Sequence, residues 1–130
     1  MVAPRGVVFF CDRNLGRQVP VRLRELGWGV EAHDDHFAPV TKDVDLLPAV
    51  AERGWVFLTQ DAHIRYRSAE AAALREAGLR VFVVITANLT WERTVQVLDA
   101  ARWDMERIAR REAPPFIWRI AKDGSVKPLG

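Results

Sequence analysis

The 130-residue chain has one cysteine, Cys11, which excludes an internal disulfide and a zinc site built from clustered thiolates. No apolar run approaches the ~20 residues that a membrane-crossing helix needs. The apolar stretch Val7–Cys11 is too short for a leader peptide and ends in charges, so the expectation is a cytoplasmic protein with no membrane partner. Repeats, low-complexity segments and internal linkers are missing as well. The chain therefore reads as one domain over 1–130, with 116–130 as a C-terminal strand and tail. Charge of one sign is also lacking, because 19 Lys+Arg face 17 Asp+Glu for a net +2. Arginine dominates the cations and lies beside acidic positions, which permits a polyanionic partner without demanding one.

What is present begins with Val7-Val8-Phe9-Phe10-Cys11-Asp12. An apolar run of strand length that stops at an aspartate is how a buried parallel strand delivers a carboxylate to a sheet edge. Cys11 lies inside that run and reads as a buried, inert thiol. Pro20 then opens a short helix that Gly27 ends, and Trp28 to Ala32 forms a second strand. His33–Pro39 reads as loop. Thr41 or Asp43 can cap a helix over about 44–53, with Leu46, Leu47 and Val50 inward and Gly54 as its stop. Trp55–Thr59 is a third strand, followed by Asp61. A helix over about 69–77, a strand over 80–85, a long helix over 91–111 and a strand from Phe116 to Ala121 complete the pattern. Asp123-Gly124 is a turn signal, after which the tail folds back as a hairpin or frays. This alternation predicts an α/β three-layer sandwich with a mainly parallel sheet of four to five strands.

In such a sheet Asp12 and Asp61 face one edge, and the start of the 44–53 helix brings Asp43 and Asp45 to the same side. Four carboxylates from three segments suit a hard divalent ion such as Mg²⁺ or Mn²⁺. Without a cation they repel one another and at least one pKa rises. A bound metal relieves the repulsion and stabilises charge developing at phosphorus. The plain alternative for Asp43 and Asp45 is a cap and a solvated first-turn acid. His33-Asp34-Asp35-His36 lacks spacing that would fix ligand geometry, so a polar loop near the site mouth is expected. His63 is a candidate phosphate contact or proton shuttle. On the 91–111 helix, Trp91, Val95, Leu98, Ala101, Met105 and Ile108 form the expected buried stripe. The other face collects Arg93, Gln96, Trp103, Arg107, Arg110 and Arg111, where an exposed Trp can anchor a partner or fold onto a neighbour.

Phe9-Phe10-Cys11-Asp12-Arg13-Asn14-Leu15-Gly16, Leu23-Arg24-Glu25-Leu26-Gly27, Thr41-Lys42-Asp43-Val44-Asp45 and Gly54–Asp61 together resemble the PIN-like nuclease superfamily. The likeness is to its compact branch with VapC-type toxins and covers about residues 7–86. It implies metal-dependent RNA cleavage by an acidic cluster, in a toxin paired with an antitoxin. Asp12 and Asp61 match the strand-end acids, Asp43 with its neighbour Asp45 the middle acid, and Asn14 and Thr59 the polar positions beside them. Arg13, Arg65 and Arg67 adjoin the key acids and would grip flanking phosphates. Trp103, Arg107 and Arg110 would then meet an antitoxin or a second copy in a homodimer.

The departure is a fourth acid, since the next strand is followed by Thr86-Ala87-Asn88. Either Asp43 and Asp45 both ligate, or water completes the shell, or the chain binds RNA or a partner with little cleavage. A receiver-like signalling domain is the remaining alternative. Arg13 stands where that class wants a second acid, and no lysine ends the strand where it is needed.

Overall fold

The computed structural model describes residues 6–63, 68–86 and 88–129. In chain order the elements are β1 (Val8–Cys11), α1 (Gln18–Glu25), β2 (Gly29–Ala32), α2 (Asp43–Glu52) and β3 (Val56–Thr59). They are followed by α3 (Ser68–Ala77), β4 (Arg80–Val84), α4 (Trp91–Arg111), β5 (Phe116–Ile120) and β6 (Val126–Pro128). Short 3-10 turns at Arg13–Leu15 and His33–Asp35 follow β1 and β2.

The strands lie in the order β2-β1-β3-β4-β5-β6. The first five are mutually parallel, and β6 pairs antiparallel with β5. The sheet thus has six strands, one more than the upper sequence expectation, because the tail turns at Asp123-Gly124 and pairs instead of fraying. Side chains of a strand alternate between faces, and both faces are buried here, so the central strands are apolar except at Thr59, the end of β3, and Arg80, the start of β4. Phe9, Cys11, Val56, Leu58, Phe82 and Val84 pack with α1 and α4 on one face. Phe10, Phe57, Val81 and Val83 pack with Leu46, Leu47 and Val50 of α2 and Leu74 of α3 on the other. Three layers result, as the βα alternation predicts. Among the described residues no helix is long and apolar enough to cross a membrane.

Three local expectations change. Trp91 is 39% exposed instead of buried, because it is the first residue of α4 and overhangs the groove beside α1. The residue preceding α2 is Lys42, which makes no side-chain cap. Thr41 donates its hydroxyl to the Ala38 carbonyl, and Asp43 is already inside the helix. His33 is buried in its turn, with its ring against Phe10 and Phe37, so that stretch is less of a solvated loop than its polarity suggests.

The two helices that share one face, α1 and α4, are tied by Arg102 of α4. Its guanidinium donates to the Leu26 and Gly27 carbonyls past the end of α1, at 3.4 and 2.8 Å. It also pairs at 3.0 Å with Glu106, a buried carboxylate. Free carbonyls at a helix C-terminus favour a cation. Arg102→Ala leaves Glu106 only the longer 3.8 Å contact with Arg110 and frees those carbonyls, and should cost about 3 kcal/mol in denaturant unfolding. Arg107→Ala breaks only an exposed pair with Asp104 and should cost less than about 1 kcal/mol. Equal effects of the two substitutions would refute this account of the α1–α4 tie.

Candidate active site

The strand order reverses between β1 and β3, where one connection runs to β2 and the next to β4. Such a switch point opens a crevice outside the carboxyl ends of the two strands. Register pairs Cys11 with Leu58, and the amide of Asp12 continues the ladder by donating to the Leu58 carbonyl at 2.8 Å. Asp12 therefore leaves β1 level with Thr59, the last residue of β3.

Thr59 is fully buried, and its hydroxyl uses its single proton and both lone pairs. It donates to Asp12 Oδ2 at 2.9 Å. It accepts from Asn14 Nδ2 at 3.0 Å and from the Asp61 amide at 3.1 Å. Asp12 Oδ1 accepts from the Arg13 amide at 2.8 Å. Both carboxylate oxygens are thus aimed by bonds to fixed groups, and each keeps acceptor capacity for a ligand. Burial raises the Asp12 pKa above its ordinary value. The Thr59 and Arg13 hydrogen bonds pull it back, the charge of Asp43 pushes it up, and His33 pulls it down slightly.

Asp43, half-buried in the first turn of α2, is thereby brought into the field of Asp12. Asp45 is exposed, and two residues along a helix turn it about 200° away from Asp43. Asp61 is half-buried and its Oδ1 accepts from the His63 amide at 3.0 Å, while His63 itself is exposed. Arg13 reaches Asp34 at 3.4 Å, and Asp34 accepts from or pairs with His33 Nδ1 at 2.8 Å. His36 meets Glu31 at 3.0 Å. The two histidines of the His-Asp-Asp-His stretch thus have separate carboxylate partners. Arg65 and Arg67 lie outside the described residues. Trp103 is 71% exposed under the Arg102 guanidinium, and Arg107 and Arg110 pair with Asp104 and Glu106 of their own helix.

Sequence reasoning missed Gln60. Its side-chain amide donates to the Asn14 carbonyl, and its Oε1 accepts from Thr86 at 2.8 Å. It stitches the turns after β1, β3 and β4 together. Its position between Thr59 and Asp61 was the available signal. Cys11 behaves as expected, since burial pushes its thiol up to about 12.

Among the described residues no three His, Cys, Asp or Glu side chains form a ready-made metal cage. The donor set nevertheless fits an ion that keeps several waters and takes one or two carboxylates, as Mg²⁺ does. Asp12, raised in pKa and repelled by Asp43, is the group that such a cation would relieve.

A doubly wound sheet with oriented carboxylates at its switch point defines the class, an α/β protein with an acidic site at the strand ends. A family model described as "PIN like domain" matches residues 7–86. A curated Mycobacterium tuberculosis protein named "Putative ribonuclease VapC45" is 30% identical over 125 residues, 92% of this chain and 90% of that protein. No solved structure matches the chain significantly. The chain belongs to the PIN-like domain family, which displaces the receiver-like alternative.

A carboxyl whose pKa is raised on folding binds its proton more tightly in the folded state. Its stabilising contribution is present at low pH and is lost as pH rises from the ordinary value of 3.8 through the folded pKa. Asp12→Asn keeps an oxygen for Thr59, gives up the acceptor of the exposed Arg13 amide bond and removes that loss. In metal-free thermal melts it should exceed the wild type in stability at about pH 7 and lose the advantage near about pH 3. A wild type more stable than the variant at neutral pH would contradict the placement of a buried, repelled carboxylate at this position.

Proposed function

We propose that this chain is an endoribonuclease dependent on Mg²⁺ or Mn²⁺ and the toxin member of a toxin–antitoxin pair. The observation that carries the reading is the Asp12 carboxylate, half-buried, aimed by Thr59 and facing the charge of Asp43 inside the matched region. The name of the Mycobacterium tuberculosis relative supports ribonuclease activity.

Asp12, with Asp61 and Asp43, would hold the cation. When bound, it supplies Lewis-acid stabilisation of charge at phosphorus and lowers the pKa of a coordinated water. Thr59 and Asn14 keep Asp12 in one orientation, so little reorganisation is needed when substrate arrives. Arg13 stands at the rim beside Asp12 and has donors for a flanking phosphate once released from Asp34. His63, exposed beside Asp61, supports a further phosphate contact.

Cleavage of structured RNA should require Mn²⁺ or Mg²⁺, stop with EDTA, and fall by at least about a thousandfold in the Asp12→Asn, Asp61→Asn double variant, as loss of metal catalysis implies. Cleavage that survives either treatment would sink the metal-nuclease reading. The second reading, an RNA- or partner-binding domain with little cleavage, is favoured by one observation. After β4 the usual acid is replaced by Thr86, which bonds Gln60. RNA binding without cleavage under all metal conditions would select it.

Exposed Trp103 with Arg107 and Arg110 supports an anchor for the antitoxin or a second copy. Trp103→Ala should weaken that association by about tenfold or more, as for interface hot spots, measured by sedimentation of the purified complex. Unchanged affinity would remove α4 from the interface.

A further inference from the structure

A cavity of about 460 Å³ adjoins Asp12 on the β2 side of the sheet edge. Its floor is the ends of β1 and β2 at Cys11 and Ala32, and Pro20 and Val21 of α1 give it an apolar wall. Arg17, Arg24 and Asp35 also line it. The volume suits one small-molecule-sized group, and Asp12 belongs to both the cavity and the acidic site.

The polar groups differ in how far they are already committed. Arg24 donates to the Val30 carbonyl at 2.9 Å, which fixes its guanidinium. Arg13 and Asp34 hold each other at 3.4 Å. Among the described residues, the side chains of Arg17 and Asp35 make no hydrogen bond or ion pair, and both are exposed. The cavity therefore offers an apolar wall together with the Arg17 donors, which lie in the field of Asp34 without bonding it, and the Asp35 acceptor.

That pattern matches a guanine base. Guanine presents the O6 and N7 acceptors that an arginine reads, and N1–H and N2–H donors that a carboxylate can accept together. Adenine turns an unprotonated N1 toward the carboxylate, and pyrimidines offer a smaller face to the slot. Unpaired RNA bases are splayed out, laid on arginine planes and read along such edges. We propose that this cavity is a base-reading subsite that takes an unpaired guanosine nucleotide of the RNA strand, beside the acidic site at Asp12. This rests on the ribonuclease reading, and it adds which nucleotide is chosen.

The test reads binding apart from cleavage. Metal-free, isotope-labelled protein is titrated with GMP, AMP, CMP, UMP and inorganic phosphate, and backbone amide signals are followed by NMR. GMP should give saturable shifts at Ala32 and Asp35, with the other nucleotides at least about tenfold weaker, as one good base contact implies. Arg17→Ala and Asp35→Asn should each weaken GMP by about tenfold, with the remaining spectrum unchanged as a control for folding. Equal binding of all four nucleotides, shifts reproduced by inorganic phosphate, or no saturable shift at these amides would each overturn the subsite. A protein that selects GMP yet cleaves no RNA in any metal retains the subsite and loses the nuclease reading. An active nuclease without base selectivity does the reverse.

Discussion

The site depends on one hydroxyl. Thr59 is buried at the end of β3, and its three hydrogen bonds join Asp12, Asn14 and the Asp61 amide. A buried hydroxyl with a missing partner is costly, whereas one with all partners fixes its neighbours. The arrangement follows from sheet register, because β1 and β3 pair in parallel with Cys11 opposite Leu58. A slip of one residue would turn Thr59 and Asp12 to other faces. The apolar layers of Phe9, Phe57, Leu58 and Phe82 hold that register. Core packing thus determines the geometry of polar groups that the core itself does not contain.

The same burial that orients Asp12 also disfavours its charge, and Asp43 adds to the strain. A fold selected for stability alone would have little use for that pair. Strained carboxylates at the mouth of a crevice are a common mark of function. A divalent cation placed between such carboxylates would turn their repulsion into attraction. Asp12→Asn keeps the volume and the Thr59 bond while removing the charge, at the loss of the Arg13 amide's acceptor.

Much of this was legible in the sequence, for reasons that residue type explains. Apolar runs ending at Asp12 and Asp61 mark strands buried on both faces, and the glycines after α1, α2 and α3 mark where each helix must stop. The full span of α4 was readable from its Thr90 cap and the Pro114-Pro115 stop. Other features depend on partners distant in sequence. His33 is buried because Phe10 and Phe37 fold around it, and a histidine's neighbours cannot be read from a polar run. Trp91 fits the periodic stripe of α4, but it lies at the helix end, where there is no layer left to cover it. Asp43 and Asp45 look equivalent as a pair of first-turn acids. Helical rotation separates them, leaving one half-buried and the other in solvent.

The polar ties also make the crevice asymmetric. Toward β4, Gln60 and Thr86 bridge the turns with uncharged groups. Toward β2, the cavity opens beside Asp12. The cross-bonded flank is braced, because each turn is held by a partner from another strand end. The opposite flank carries Arg13, Arg17 and Arg24 around the cavity, beside Asp12, Asp34 and Asp35. Charge and open space therefore gather on the β2 side of Thr59, while rigidity comes from the β4 side, and Asp12 stands where the two meet.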